Sequence, residues 1–277
     1  MLVTPRPLLL MHDAPGLAAT LREAAGDAAR VWALPDWDAL ERAMARVPPT
    51  AVVIVDPYAG SPGEPSPRLQ ALLRDLRSAT VVAALPVTAQ TVPHLELLAR
   101  WGVADVVELG REDTAGALKR RLRLVQGRLV TRLLERALPR TTPTRTRSLL
   151  ATAADTAAVA GGSAELAQVL GVTERTVLRW CRRADLPQPR RLMAWLRILL
   201  AADMLDDAGR TLGSVAHACG YSSDTALRNA LRTFLGESPT DLRGRAFQTA
   251  SAAFARELFD LREAAHTRGR PEKTWLQ

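Results

Sequence analysis

Ala167-Gln168-Val169-Leu170-Gly171-Val172-Thr173 recurs, 49 positions later, as Ala216-His217-Ala218-Cys219-Gly220-Tyr221-Ser222. In both copies a small residue is followed four positions on by glycine, and two further on by a hydroxyl residue. Glycine accepts the left-handed backbone of a tight inter-helix turn, and Thr173 or Ser222 is placed to cap the next helix. The pattern predicts two helix-turn-helix units. In the helix after the first turn, Val177, Cys181 and Ala184 form an inward stripe, leaving Glu174, Arg175, Leu178, Arg179 and Arg182 outside. After the second turn, Leu227, Leu231 and Phe234 turn inward and leave Asp224, Thr225, Arg228, Asn229 and Arg232 outside. Arginine pairs with guanine or phosphate, asparagine with adenine, and threonine touches a thymine methyl. Both faces therefore suit double-stranded DNA. A long apolar helix, about Arg190 to Asp207, lies between the units and is expected to hold them one turn of DNA apart, ~34 Å.

From about residue 148 to 246 the chain resembles the AraC family of transcription regulators. The likeness rests on Leu170-Gly171-Val172-Thr173, Arg179, Pro189 followed by Arg197, Gly220-Tyr221-Ser222 through Gly236, and Ser238-Pro239 with Leu242-Arg243. It implies a sequence-specific regulator with two recognition helices. Leu227 and Leu231 stand where the family has aromatics, and the glycine expected before Pro189 is missing near Asp185-Leu186. Leucine for phenylalanine keeps buried apolar surface, so packing changes more than function.

At 277 residues the chain is expected to form about two domains. No run of about 18 apolar residues is present, and Met1-Leu2-Val3-Thr4-Pro5 lacks the features of a signal peptide. A cytoplasmic protein without membrane partners is expected. Cys181 and Cys219 fall on or beside apolar stripes and read as buried thiols rather than a metal or redox site. No catalytic set, phosphate-binding glycine loop or metal-ligand cluster is recognisable, so no enzyme, cofactor or metal is expected.

Charge is unevenly placed. Residues 1–110 hold 9 basic and 12 acidic side chains, residues 111–140 hold 9 and 3, and residues 141–277 hold 19 and 14. Nucleic-acid binding is therefore not expected of the first segment. The basic run from Arg111 through Lys119-Arg120-Arg121 and Arg123 towards Arg147 suits either phosphate contacts or a solvated helix face.

The first 110 residues alternate strand and helix patterns and predict an α/β flavodoxin-like domain with a parallel sheet. Strands are expected at Pro7–Met11, Ala29–Ala33, Ala51–Val55, Thr80–Leu85 and Ala104–Leu109, with helices between them. Ligands on such sheets bind beyond the carboxyl ends of the strands, where Asp13 and Asp56 fall. Here the chain resembles the receiver domain of response regulators. Asp56 in Val53-Ile54-Val55-Asp56 matches the phospho-accepting aspartate, and Asp13 matches one of the acidic pair. His12 replaces the other acid, Pro86 stands near the switch hydroxyl, Thr88 is two residues late, and Glu108-Leu109 stand where the lysine belongs. Phosphoryl transfer needs a cation held by carboxylates and a cationic side chain. A degenerate receiver serving dimerisation or another signal, of small-molecule or protein nature, is favoured over a phosphorylation-switched regulator using Asp56. A non-specific architectural DNA protein is the third reading.

Leu118, Leu122, Val125, Leu129 and Leu133 recur at helical spacing within about Glu112 to Leu138. The far half is expected to pair with a second copy as a coiled coil, making a homodimer, with Gly127 marking a bend or break. The domain plan is thus 1–138 regulatory, 139–147 exposed linker, 148–246 DNA-binding, and 247–277 a helix and tail. Phe247, Phe254, Leu258, Leu261 and Ala265 form the last helix's apolar stripe, packed within the chain. Thr267 to Gln277, with Trp275, reads as a disordered tail.

Overall fold

Five parallel strands form one sheet in the order β2-β1-β3-β4-β5: β1 (Arg6–Met11), β2 (Ala29–Ala33), β3 (Val52–Val55), β4 (Thr80–Leu85) and β5 (Asp105–Glu108). A computed structural model describes residues 6–48, 51–138 and 142–269. Successive strand residues face opposite sides. Leu9, Met11, Val53, Val55, Val81, Ala83 and Leu85 pack under α2 (Trp37–Met44), α3 (Pro67–Asp75) and α4 (Val92–Trp101). Leu8, Leu10, Val52, Ile54, Val82, Ala84 and Val107 pack under α1 (Leu17–Ala25) and the first half of α5 (Ala115–Ala137). Both faces are covered, which is why the central strands read as unbroken apolar runs. Local chemistry sets the ends: Asp36 Oδ1 accepts the Ala39 N–H at 2.7 Å to start α2, and Gly102, at φ 103°, stops α4.

The rest is helical: α6 (Thr144–Ala158), α7 (Ser163–Val169), α8 (Glu174–Arg183), α9 (Pro189–Leu205), α10 (Leu212–Ala218), α11 (Asp224–Leu235), α12 (Pro239–Leu242) and α13 (Ala246–Gly269). Helix α9 is apolar nearly all round and forms the axis of this second core, as such a helix must. Arg191 clamps Glu257 of α13 through two bonds of 2.6 and 2.7 Å, and Trp195 Nε1 donates to the same carboxylate. Phe247, Phe254 and Leu258 of α13 are buried against α9, while Leu261 and Ala265 are half-buried. No helix among the described residues is long and apolar enough to cross a membrane.

Several expectations are corrected. Helix α5 runs through Gly127 without a break. Both its halves are fastened in cores, which offsets the ~1 kcal/mol that glycine costs a helix. Its stripe is not a free seam. Leu118, Leu122 and Val125 belong to the sheet, whereas Val130, Leu133, Leu134, Ala137 and Leu138 are buried with α6, α9 and α13. The Leu129 side chain lies outside the described residues. The exposed linker also shrinks: Thr142 is buried and α6 begins at Thr144, within the segment expected to be irregular. Helix α6 itself escaped the sequence reading, because its buried face is built largely from alanine. Helix α13 extends to Gly269, past the expected start of the tail at Thr267. Met1–Pro5, Pro139–Thr141 and the tail with Trp275 lie outside the described residues.

Candidate nucleic-acid interface

The first unit is α7, a turn and α8. Gly171 makes the turn at φ 66°, and Thr173 Oγ1 accepts the Thr176 N–H at 3.3 Å, capping α8. Val177 and Cys181 are fully buried and Ala184 half-buried, so the opposite face is turned out. Glu174, Arg175, Arg179 and Arg182 are exposed, as is Arg183, which the sequence reading passed over. Leu178, expected outside, is half-buried.

The second unit is α10, a turn and α11, with one correction. Gly220 takes φ 73°, but the cap is Ser223 rather than Ser222: its Oγ accepts the Ala226 N–H at 3.1 Å. The second turn is one residue longer, so the two helices superpose with an offset of 50 rather than 49. Glu174 then corresponds to Asp224, Arg175 to Thr225, Leu178 to Arg228, Arg179 to Asn229 and Arg182 to Arg232. The buried stripes correspond as well, Val177 to Leu227 and Cys181 to Leu231. Asp224, Thr225, Arg228, Asn229 and Arg232 are all exposed.

Among the described residues, none of the guanidiniums of Arg175, Arg179, Arg182, Arg228 and Arg232 has an ion-pair or hydrogen-bond partner. Each keeps its five donors free for phosphate or a base edge. Glu174 differs, since its carboxylate accepts the Ser163 hydroxyl at 2.9 Å. Both acids open their helices, where negative charge suits the backbone dipole. Part of the basic run between the domains is engaged within the chain: Arg121 with Asp105 at 2.8 Å and with Glu112, Arg136 with Asp203 at 2.6 Å, Arg111 with Glu108 at 3.4 Å. Lys119, Arg120 and Arg123 remain exposed.

Residues 166–245 match the model of a family described as a helix-turn-helix domain. The helical region carries an AraC-type helix-turn-helix domain. A Streptomyces lividans protein described as an AraC-like transcription regulator is 35% identical over 80 residues, which are 29% of this chain and 26% of that protein. The chain thus aligns with about a quarter of the length of that curated relative. No solved structure matches.

Within the helix-turn-helix domain the two turns are set differently. Nothing lies within 4 Å of a Cβ built on Gly171, whereas one on Gly220 would fall 2.3 Å from the Ala160 Cβ. Ala160 itself has a left-handed backbone, φ 61°, and Arg197 Nη2 donates to the next carbonyl, Gly161, at 3.1 Å. Arg197 also lies over the ring of Tyr221, 6.0 Å from its centre. Desolvation pushes the Tyr221 hydroxyl pKa up. Asp185 adopts φ 51° in the region where the family pattern expects glycine. Aspartate is one of the few residues that visits this conformation, which explains how the departure is accommodated.

The second unit is also locked to the sheet domain. Asp207 accepts the Ser78 N–H at 3.0 Å and the Ser78 hydroxyl, and pairs with Arg210 Nε at 3.3 Å. Arg210 Nη1 donates to the Met44 carbonyl at 3.1 Å, and Gly209 N–H to the Asp75 carbonyl at 3.0 Å. Asp207 and Arg210 are 2% and 4% exposed, so neither charge has water to fall back on. Burial pushes the Asp207 carboxyl up and the Arg210 guanidinium down, outweighing their mutual attraction.

At the carboxyl end of the sheet, Asp13 is exposed beyond β1 and Asp56 half-buried beyond β3. Asp56 Oδ1 accepts the Tyr58 N–H at 2.9 Å, closing the turn after β3. His12 bridges segments: its Nδ1 accepts the Ala14 N–H at 2.8 Å and its Nε2 lies 3.0 Å from the Ala84 carbonyl, which fits the neutral Nε2–H tautomer. Pro86 and Thr88 are exposed, and Glu108 is half-buried beside Arg111. No group of three His, Cys, Asp or Glu suited to a metal ion occurs among the described residues. Cys181 and Cys219 are buried, and desolvation pushes their thiols to about 11 and about 12.

Proposed function

We propose that the protein is a cytoplasmic, sequence-specific DNA-binding transcription regulator in which α8 and α11 read successive major grooves. The observation that carries this reading is the exposed polar face that both helices present, with guanidiniums left without partners among the described residues at Arg175, Arg179, Arg182, Arg228 and Arg232. Double-stranded DNA is the partner, and no enzymatic role, cofactor or metal enters. Two copies are expected to occupy neighbouring sites; since the α5 stripe is turned inward, a homodimer needs another surface.

The sheet domain fits the same proposal as a flavodoxin-like, receiver-like unit that accepts a small-molecule or protein signal other than phosphate. Its strand order supports the kinship, because 2-1-3-4-5 is the doubly wound order whose switch point lies between β1 and β3. The engagement of Asp56 with Tyr58 N–H and of His12 with two backbone groups supports the loss of phosphoryl chemistry. No cationic side chain takes the lysine's place at Glu108-Leu109.

Selection of bound duplexes from a random pool tests the central claim. A regulator binds its selected site ~10³-fold or more tighter than random duplex, and an architectural protein does not. Arg179→Ala and Arg228→Ala should each weaken the selected site by about 1 to 3 kcal/mol if the arginine meets a base edge, with selectivity relaxed at one position. Unchanged binding by both variants sinks the assignment of α8 and α11 as readers. Asp56→Asn should leave DNA binding alone and shift stability by no more than about 0.5 kcal/mol, because asparagine can still accept the Tyr58 N–H. Mass-spectrometric detection of phosphate on Asp56, after treatment with a small phosphodonor and Mg²⁺, would instead promote the phosphorylation-switched reading.

A further inference from the structure

Although residues 1–110 carry net negative charge, part of this segment lies against the second helix-turn-helix unit. The Met44 carbonyl takes the Arg210 guanidinium, and Arg210 directly precedes Thr211, whose Oγ1 caps α10 by accepting the Ser214 N–H at 3.1 Å. Ala45 and Arg46, the next residues after Met44, are thereby set beside the first turn of α10. They share a cleft of about 550 Å³ with Gly213, Ser214 and His217. That turn touches the reading helix: a Cβ on Gly213 would lie 3.1 Å from Asp224 Oδ1, in the first turn of α11. An adjoining cleft of about 410 Å³ brings Arg30 of β2 to the same place, with Arg46, His217 and Gly220.

Arg30, Arg46 and His217 are exposed, and no acidic residue lines either cleft. Neither the Arg30 nor the Arg46 guanidinium has a partner among the described residues. We propose that Arg30, Arg46 and His217 grip backbone phosphates beside the groove read by α11, making the sheet domain part of the DNA interface. The proposal rests on the DNA-binding reading above. Net charge does not oppose it, because salt screens charges beyond a Debye length of about 10 Å at 0.1 M, so local placement decides. In a helix-turn-helix the first helix crosses the DNA backbone while the second enters the groove, so phosphate is the anion nearest to α10.

The test uses the full chain and a random-sequence duplex, with binding followed by fluorescence anisotropy between about 50 and 200 mM KCl. The slope of log affinity against log salt should become shallower by about 0.9 for each lost phosphate contact, hence by about 1.8 in the Arg30→Gln, Arg46→Gln double variant. Affinity of that variant at the lowest salt should fall about tenfold, evenly across sequences, with an unchanged melting temperature. Arg46→Lys should keep the wild-type slope, since a phosphate needs charge rather than a guanidinium fork. If the wild-type chain binds no duplex, the DNA-binding reading fails and takes this proposal with it. If the wild type binds and the double variant keeps its slope, this proposal alone is overturned. It is equally overturned if Arg46→Lys is as weak as Arg46→Gln. Retention of the slope together with a melting temperature raised by millimolar benzoate would assign the clefts to a small anion instead.

Discussion

The two helix-turn-helix units share a plan and differ in how they are held. The first has an open turn at Gly171 and four exposed arginines on α8. The second has two on α11, a turn wedged against Ala160, and a buried ion pair fastening it to the sheet domain. Arginine is concentrated on the helix that follows the open turn, and mixed polar chemistry on the helix that follows the wedged one. The difference teaches that a repeat in sequence is not a repeat in mechanics.

The largest effect should come from breaking the lock. Asp207→Ala leaves Arg210 buried without its carboxylate and should cost about 3 to 5 kcal/mol in denaturant unfolding. A loss below about 1 kcal/mol would mean that the pair does not anchor the second unit. Comparison of the turns comes next. Gly220→Ala meets both a left-handed backbone and the Ala160 Cβ and should cost about 3 kcal/mol, against about 1 to 2 kcal/mol for Gly171→Ala, where only the backbone objects. Equal losses would erase the contrast. The smallest effect is a gain: Ala160→Gly relieves a left-handed alanine and should stabilise by about 0.5 to 1 kcal/mol, read as a raised melting temperature.

The sequence revealed most where spacing is local. The strands at Ala29–Ala33 and Thr80–Leu85 are found at the expected limits, and of the ten residues placed outside on α8 and α11 all but Leu178 are exposed. Short apolar runs bounded by turn residues mark the strands, and a period of 3.6 marks the helices. Such patterning failed at Ser222 and Ser223, where two serines in tandem offer the same capping chemistry and it is Ser223 Oγ that accepts the Ala226 N–H. It also failed at α6, whose alanines give a weak apolar signal. The lock was out of reach, since Ser78 and Asp207 lie 129 residues apart and nothing in either segment names the other. A longer separation, 166 residues, hid Arg46, which is an ordinary surface arginine until Met44 meets Arg210.

Helix α5 carries a practical consequence for anyone dividing the molecule. Its first half completes the sheet and its second half supplies Val130, Leu133, Leu134, Ala137 and Leu138 to the helical core. A cut at the apparent boundary, after Leu138, strips the helical fragment of five apolar side chains and leaves them facing water on the other piece. The severed halves would be prone to clump, and calorimetry of the intact chain should record a single melting transition in which both cores give way together.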